Sequence, residues 1–123
     1  MIGTGTAAWL DDLPTELARH VTILRRMVDE VNRDPRLRAL QVQGSVGRGT
    51  GDQYSDLDVG LVIAEAAWPA FADELPALIH RLGEVVDDYY EFQPYGAAPQ
   101  VLRSWIQYLN GIQLDLLVVP VTN

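Results

Sequence analysis

The chain contains no cysteine and no lysine. The first absence excludes disulfides, thiolate catalysis and thiolate zinc sites. The second removes the phosphate-binding lysine of P-loop proteins, the strand lysine of protein kinases and every Schiff-base mechanism. Histidine occurs only at His20 and His80, too few for a His-rich metal site. No apolar run approaches the ~20 residues that a membrane helix needs. The N-terminus lacks the basic stretch and apolar core of a secretory signal. Bases are scarce: nine arginines face seventeen acids, a net charge of −8. A long nucleic acid would be repelled at long range, whereas a metal-chelated anion or a cationic partner would not.

What is present, 123 residues with 48% hydrophobic content, suffices for one globular domain over 1–123. Residues 1–10 read as a frayed head. Leu17, Val21, Leu24, Val28 and Val31 recur at helical spacing and predict a helix over 13–32. His20 within it reads as a surface or half-buried residue without a role. Asp34-Pro35 ends the helix, since the residue before proline leaves the helical region. Strands are expected over 37–43 and 56–63, joined by a glycine-rich loop. A helix begins near Pro69, carries Phe71, Leu75, Leu78, Ile79 and Leu82 inward, is kinked or split by Pro76 and ends at Gly83. A strand over 85–92 is closed by a loop over 94–99. Val101–Leu109 and Ile112–Val119 then flank Asn110-Gly111. This pair predicts a two-residue hairpin turn that sets Ile106 opposite Asp115. The expected architecture is α/β (α+β), a mixed sheet of about five strands with packed helices and a C-terminal hairpin.

The loop Gly44-Ser45-Val46-Gly47-Arg48-Gly49-Thr50-Gly51 is neither a dinucleotide fingerprint nor a Walker A loop, because Thr50 stands where the lysine belongs. Glycines there let backbone N–H groups approach an anion, and a short helix starting at Ser45 would favour phosphate. A plain turn would look the same. Asp56 and Asp58 lie two apart at the start of an apolar strand and so share a face. Two carboxylates there are costly without a cation, and oxygen-only ligands suit Mg²⁺ or Mn²⁺. A turn-ending Asp56 with a solvent-facing Asp58 fits equally. Asp115 stands alone in Leu114-Asp115-Leu116-Leu117-Val118-Val119, where an acid should be paired, at an edge or on a metal. Three carboxylates on neighbouring strands suffice for two ions about 3.5–4 Å apart, the clamp for in-line phosphoryl displacement.

Gly44-Ser45, ten intervening residues, Asp56-Leu57-Asp58 and a later strand aspartate at Asp115 together resemble the polymerase-beta-type nucleotidyltransferase superfamily. The stretch from Gly44 to Val59 is similar to the catalytic domain of the branch holding aminoglycoside and lincosamide nucleotidyltransferases. Minimal nucleotidyltransferase antitoxins share the spacing. The resemblance spans about residues 37–120. It implies a nucleotidyltransferase fold and Mg²⁺-dependent transfer of a nucleoside monophosphate from an NTP, such as ATP, to a hydroxyl of a small acceptor, as in antibiotic resistance. It implies that Asp56 and Asp58 bind two ions, that Asp115 binds the catalytic ion and helps deprotonate the acceptor, and that Gly44 and Ser45 hold the triphosphate. Arg48 is added on charge: it could neutralise the leaving pyrophosphate, or simply be solvated. The alternative expectation is an antitoxin that binds or adenylylates a partner toxin. Members with small acceptors commonly carry a C-terminal helical domain, so an absent domain or a helical protein partner is expected to complete the site. The expected setting is cytoplasmic, with neither a membrane nor long nucleic acid as partner.

Overall fold

Alternating apolar residues build five strands, and helices cover the apolar side of the sheet they form. A computed structural model describes residues 4–95 and 98–121. In chain order these form α1 (Thr4–Asp11), a 3-10 turn (Thr15–Leu17), α2 (Ala18–Arg33), β1 (Leu37–Gln43), α3 (Gly44–Arg48) and β2 (Leu57–Ala64). A second 3-10 turn (Glu65–Ala67), α4 (Trp68–Leu82), β3 (Val85–Tyr95), β4 (Ala98–Tyr108) and β5 (Gln113–Val121) follow. The sheet order is β1-β2-β5-β4-β3, with β2 and β5 parallel and every other pair antiparallel. The architecture is α+β with a mixed five-stranded sheet. No described helix is long and apolar enough to cross a membrane.

Period two decides the faces. Leu57, Val59, Leu61 and Ile63 of β2 and Leu114, Leu116 and Val118 of β5 point into one core cluster, which also takes buried side chains from all four helices. Each fully buried side chain of this kind contributes roughly 1.5–3 kcal/mol. The opposite face carries Gln41, Gln43, Asp58, Arg103, Gln113 and Asp115, and no described helix covers it.

Several expectations are corrected. The head is helical from Thr4, because Leu10 enters the core at 3% exposure and Trp9 packs against it; residues 1–3 lie outside the described residues. The buried stripe of α2 is His20, Ile23, Leu24, Met27 and Val31, whereas Val21 and Val28 are half-buried. His20 is thus fully buried. Pro76 lies inside one continuous α4, so it does not split the helix. It is exposed there, where a carbonyl deprived of its N–H partner can meet water. β3 runs on to Tyr95 and β4 starts at Ala98, which shortens the expected 94–99 loop; residues 96–97 lie outside the described residues.

The hairpin turn also differs. The Tyr108 N–H donates to the Ile112 carbonyl at 2.9 Å and the Gly111 N–H to the Tyr108 carbonyl at 3.0 Å, which leaves three loop residues. Only Gly111 takes a positive φ, +92°, and the Asn110 side chain instead accepts from the Ile112 N–H at 3.0 Å. Trp105, not Ile106, therefore stands opposite Asp115.

The end of α4 is capped from outside its own helix. The buried Tyr108 hydroxyl donates to the Ile79 carbonyl at 2.9 Å, and the Arg26 guanidinium donates to the Leu82 carbonyl at 2.9 Å. Arg36 joins the α2–β1 turn to α4, bonding Asp34 and gripping both Glu74 oxygens at 2.9 Å. The Tyr108→Phe variant removes a buried hydrogen bond while keeping the ring. It should lose about 1–2 kcal/mol in urea denaturation, with an unchanged slope.

Candidate active site

β1 ends at Gln43, whose partner across the antiparallel pair is Asp58. The chain then turns at Gly44, with φ +67°. A Cβ at Gly44 would run into the Asp58 carboxylate, so glycine is required twice, for its dihedral and for its size. Val46 is fully buried and anchors α3 to the core. Ser45 is half-buried; its carbonyl accepts the Thr50 N–H at 2.9 Å, while among the described residues no hydrogen bond engages its hydroxyl. Arg48 is exposed at the end of α3.

Two side chains at the start of α2 hold the loops that lead into the functional strands. The His20 Nε2–H donates to the Ser55 carbonyl at 2.7 Å. Ser55 in turn closes a tight turn with Asp52, accepting the Asp52 N–H on its hydroxyl at 2.9 Å. Arg19 donates to the Gln53 carbonyl at 2.9 Å and to the Asn110 carbonyl at 2.6 Å. It thereby bridges the loop before Asp56 to the hairpin turn before Asp115. Sequence reasoning missed both residues. The available signal for His20 was its place in the 20, 24, 27, 31 series, which has helical spacing.

Asp58 and Asp115 are direct partners in the parallel β2–β5 register. Adjacent strands lie about 4.8 Å apart, so both carboxylates rise from neighbouring points on the uncovered face. Asp56 is exposed one residue before β2. Burial raises the Asp58 carboxyl above its ordinary value, and the charges of Asp115 and Asp56 raise it further, against the opposing pull of Arg103 and Arg48. The structure thus sets Asp58 and Asp115 side by side next to Gly44, brings Asp56 and Arg48 near enough for their charges to act on Asp58, and has Ser45 following directly on Gly44. It adds Arg103, which sequence reasoning left out and which donates to Asp115 Oδ1 at 3.1 Å. A hollow of about 260 Å³ is lined by Gln43, Gly44, Asp58, Arg103, Asp115 and Leu117. A second hollow on this side of the sheet, about 470 Å³, has Tyr89 and Trp105 in its walls.

Among the described residues, no three His, Cys, Asp or Glu side chains converge as a ready metal-ligand group. The donor chemistry nonetheless fits a hard cation: in-register carboxylates, oxygen ligands only, at a strand start where like charges crowd.

One solved structure with this chain's topology is the crystal structure of an aminoglycoside 6-adenyltransferase from Bacillus subtilis, matched with a TM-score of 0.58. The fold is nucleotidyltransferase-like. Sequence identity in that match is 16%, and it covers 80% of this chain and 34% of the other, so the chain spans about a third of that protein's length. No family model and no curated protein matches the sequence.

A raised carboxyl has a definite pH signature. The folded protein holds the Asp58 proton more tightly than the unfolded chain does. Asp58 therefore lowers stability as pH rises from its ordinary value of 3.8 through the raised folded value. In buffer with a chelator, Asp58→Asn should be more stable than the wild type at neutral pH. The gap should close below 3.8, which denaturation curves across pH would show.

Proposed function

We propose that the protein is a Mg²⁺-dependent nucleotidyltransferase, moving a nucleoside monophosphate from an NTP to a hydroxyl of a small acceptor. The observation that carries this reading is the in-register pairing of Asp58 with Asp115, beside a Gly44-Ser45 turn packed directly on Asp58. In the reaction the acceptor oxygen forms a bond to the α-phosphorus. The bond from that phosphorus to the bridging oxygen breaks, and pyrophosphate leaves.

Asp56, Asp58 and Asp115 would hold the cations, with Mn²⁺ as a substitute. Bound there, Mg²⁺ would neutralise phosphate charge and make the acceptor hydroxyl more acidic. The Ser45 hydroxyl and the backbone N–H groups beside it take the role of gripping the outer phosphates. Arg48 supplies positive charge toward the departing pyrophosphate. Asp115 takes the acceptor proton and passes it to solvent. The net charge of −8 and the aminoglycoside named for the structural neighbour favour a cationic, amino-substituted sugar as acceptor. The reading carries a cytoplasmic setting, where nucleoside triphosphates are found.

Thermal shifts with NTPs, with and without Mg²⁺, test the binding half. Ligand at about 100 times its dissociation constant adds ~2.7 kcal/mol, a clear shift. Asp58→Asn and Asp115→Asn should each abolish the Mg²⁺-dependent part while staying folded. Absence of any shift in the wild type, or wild-type behaviour of Asp115→Asn, would count against the site. Pyrophosphate release with a panel of aminoglycosides tests the transfer half.

Ser45→Ala separates phosphate gripping from a merely structural role. It should weaken ATP by about 1.5–3 kcal/mol, the value of a hydrogen bond to a charged group, and AMP by much less. Equal weakening of both in calorimetric titrations would assign the residue to folding alone.

A further inference from the structure

β5 lies between β2 and β4, so Asp115 can turn either way. On the β2 side stands Asp58, a like charge in direct register. On the β4 side stands Arg103, opposite Leu117 and therefore diagonal to Asp115. The guanidinium of Arg103 sits 3.1 Å from Asp115 Oδ1. It engages that carboxylate from the β4 side. Arg103 also lines the same hollow as both carboxylates.

We propose that Arg103 is an internal counterion, a guanidinium that a divalent cation must displace before Asp58 and Asp115 can close on it. This rests on the reading of the carboxylates as a cation site. Two adjacent carboxylates need a positive charge between or beside them. A guanidinium meets that need from one side only, because its stem is fixed on β4. A compact divalent ion carries twice the charge and can touch oxygens of both aspartates. While Arg103 occupies Asp115, the binding-competent arrangement is only partly populated, and apparent cation affinity falls by that fraction.

The released side chain has places to go. Glu91 stands directly opposite Arg103 across the β3–β4 pair. Its carboxylate accepts the Gln93 side chain at 2.8 Å. The Trp105 ring already lies 5.9 Å from the guanidinium carbon, within cation–π range. Arg103 thus has Asp115 as its ion-pair partner, an aromatic face on its own strand and a second acid, Glu91, on the next strand. A monovalent ion gains too little from the carboxylates to drive this exchange, which gives the site a preference for divalent charge.

The test titrates Mn²⁺ into the full chain and reads the free ion by its electron paramagnetic resonance signal. The variants are Arg103→Met, Arg103→Gln, Asp58→Asn and Asp115→Asn. Both arginine variants should bind Mn²⁺ about fivefold more tightly than the wild type, the scale of a half-exposed ion pair removed, and both asparagine variants should bind it weakly. In the wild type, adding Mg²⁺ should shift the Arg103 Nε–H resonance as the guanidinium leaves Asp115. Equal or weaker binding by both arginine variants, with binding still lost in the asparagine variants, overturns the counterion and leaves the carboxylate site standing. An Arg103 resonance unmoved by saturating Mg²⁺ does the same. Wild-type binding by the asparagine variants, or no Mn²⁺ uptake by any protein, overturns both.

Discussion

The parallel register of β2 with β5 is the constraint on which the site depends. Parallel neighbours run in the same direction, so residues near their starts meet at the same end of the sheet. Asp58 is the second residue of β2 and Asp115 the third of β5, and the register makes them direct partners. Parallel strands cannot be joined by a tight turn. The intervening α4, β3 and β4 are the crossover that this pairing demands, and α4 covers the core face on the way. The chemistry-bearing face is left open because the described helices all sit on the other side.

Concentrating acids at one end of a sheet works against folding, and the fold answers with fixed supports. Arg19 and His20 sit side by side at the start of α2. One bridges the loop before Asp56 to the hairpin turn before Asp115, and the other pins Ser55 from inside the core. They hold the backbone that delivers the carboxylates. Arg103 and Arg48 then supply positive charge to the cluster from the β4 and α3 sides.

The local elements were legible because their signals are local. The stripe on α4, the stop at Asp34-Pro35 and the alternation in β2 and β5 all follow from periods of 3.6 and 2. The spacing of Gly44-Ser45 to Asp56 and Asp58 was enough to suggest the fold, and α3 formed where the glycine loop allowed it. Legibility failed where partners lie far apart in sequence. Arg103 meets Asp115 only through a register between strands, and His20 reaches Ser55 across 35 positions. His20 also misled by type, since its polarity hid that it belongs to the buried stripe of α2. The helix at the head was invisible to propensity, because Gly3, Thr4, Gly5 and Thr6 argue against it, while the docking of Leu10 and Trp9 and the Asp11–Arg25 ion pair reward it.

The hairpin error carries a sharper lesson. Cross-strand partners share a face, so a register that sets Ile106 opposite Asp115 would put a core isoleucine and an open-face carboxylate on the same side. Alternation in β4 sends Ile106 and Tyr108 inward, and alternation in β5 sends Leu114 and Leu116 inward. The two patterns agree only if Ile106 meets Leu114 and Trp105 meets Asp115, which is the register found. A two-residue turn is off by one residue from that arrangement. The third loop residue, with Gly111 in the left-handed region, removes the conflict. Face parity therefore outranks the turn signature as a guide to register here, because a slip of one residue would exchange buried and exposed sets along the whole strand, while a longer turn costs only a few tenths of a kcal/mol in loop closure. The same parity puts Arg103 and Trp105 on the face of Asp115 and so decides which side chains can act on the carboxylates at all.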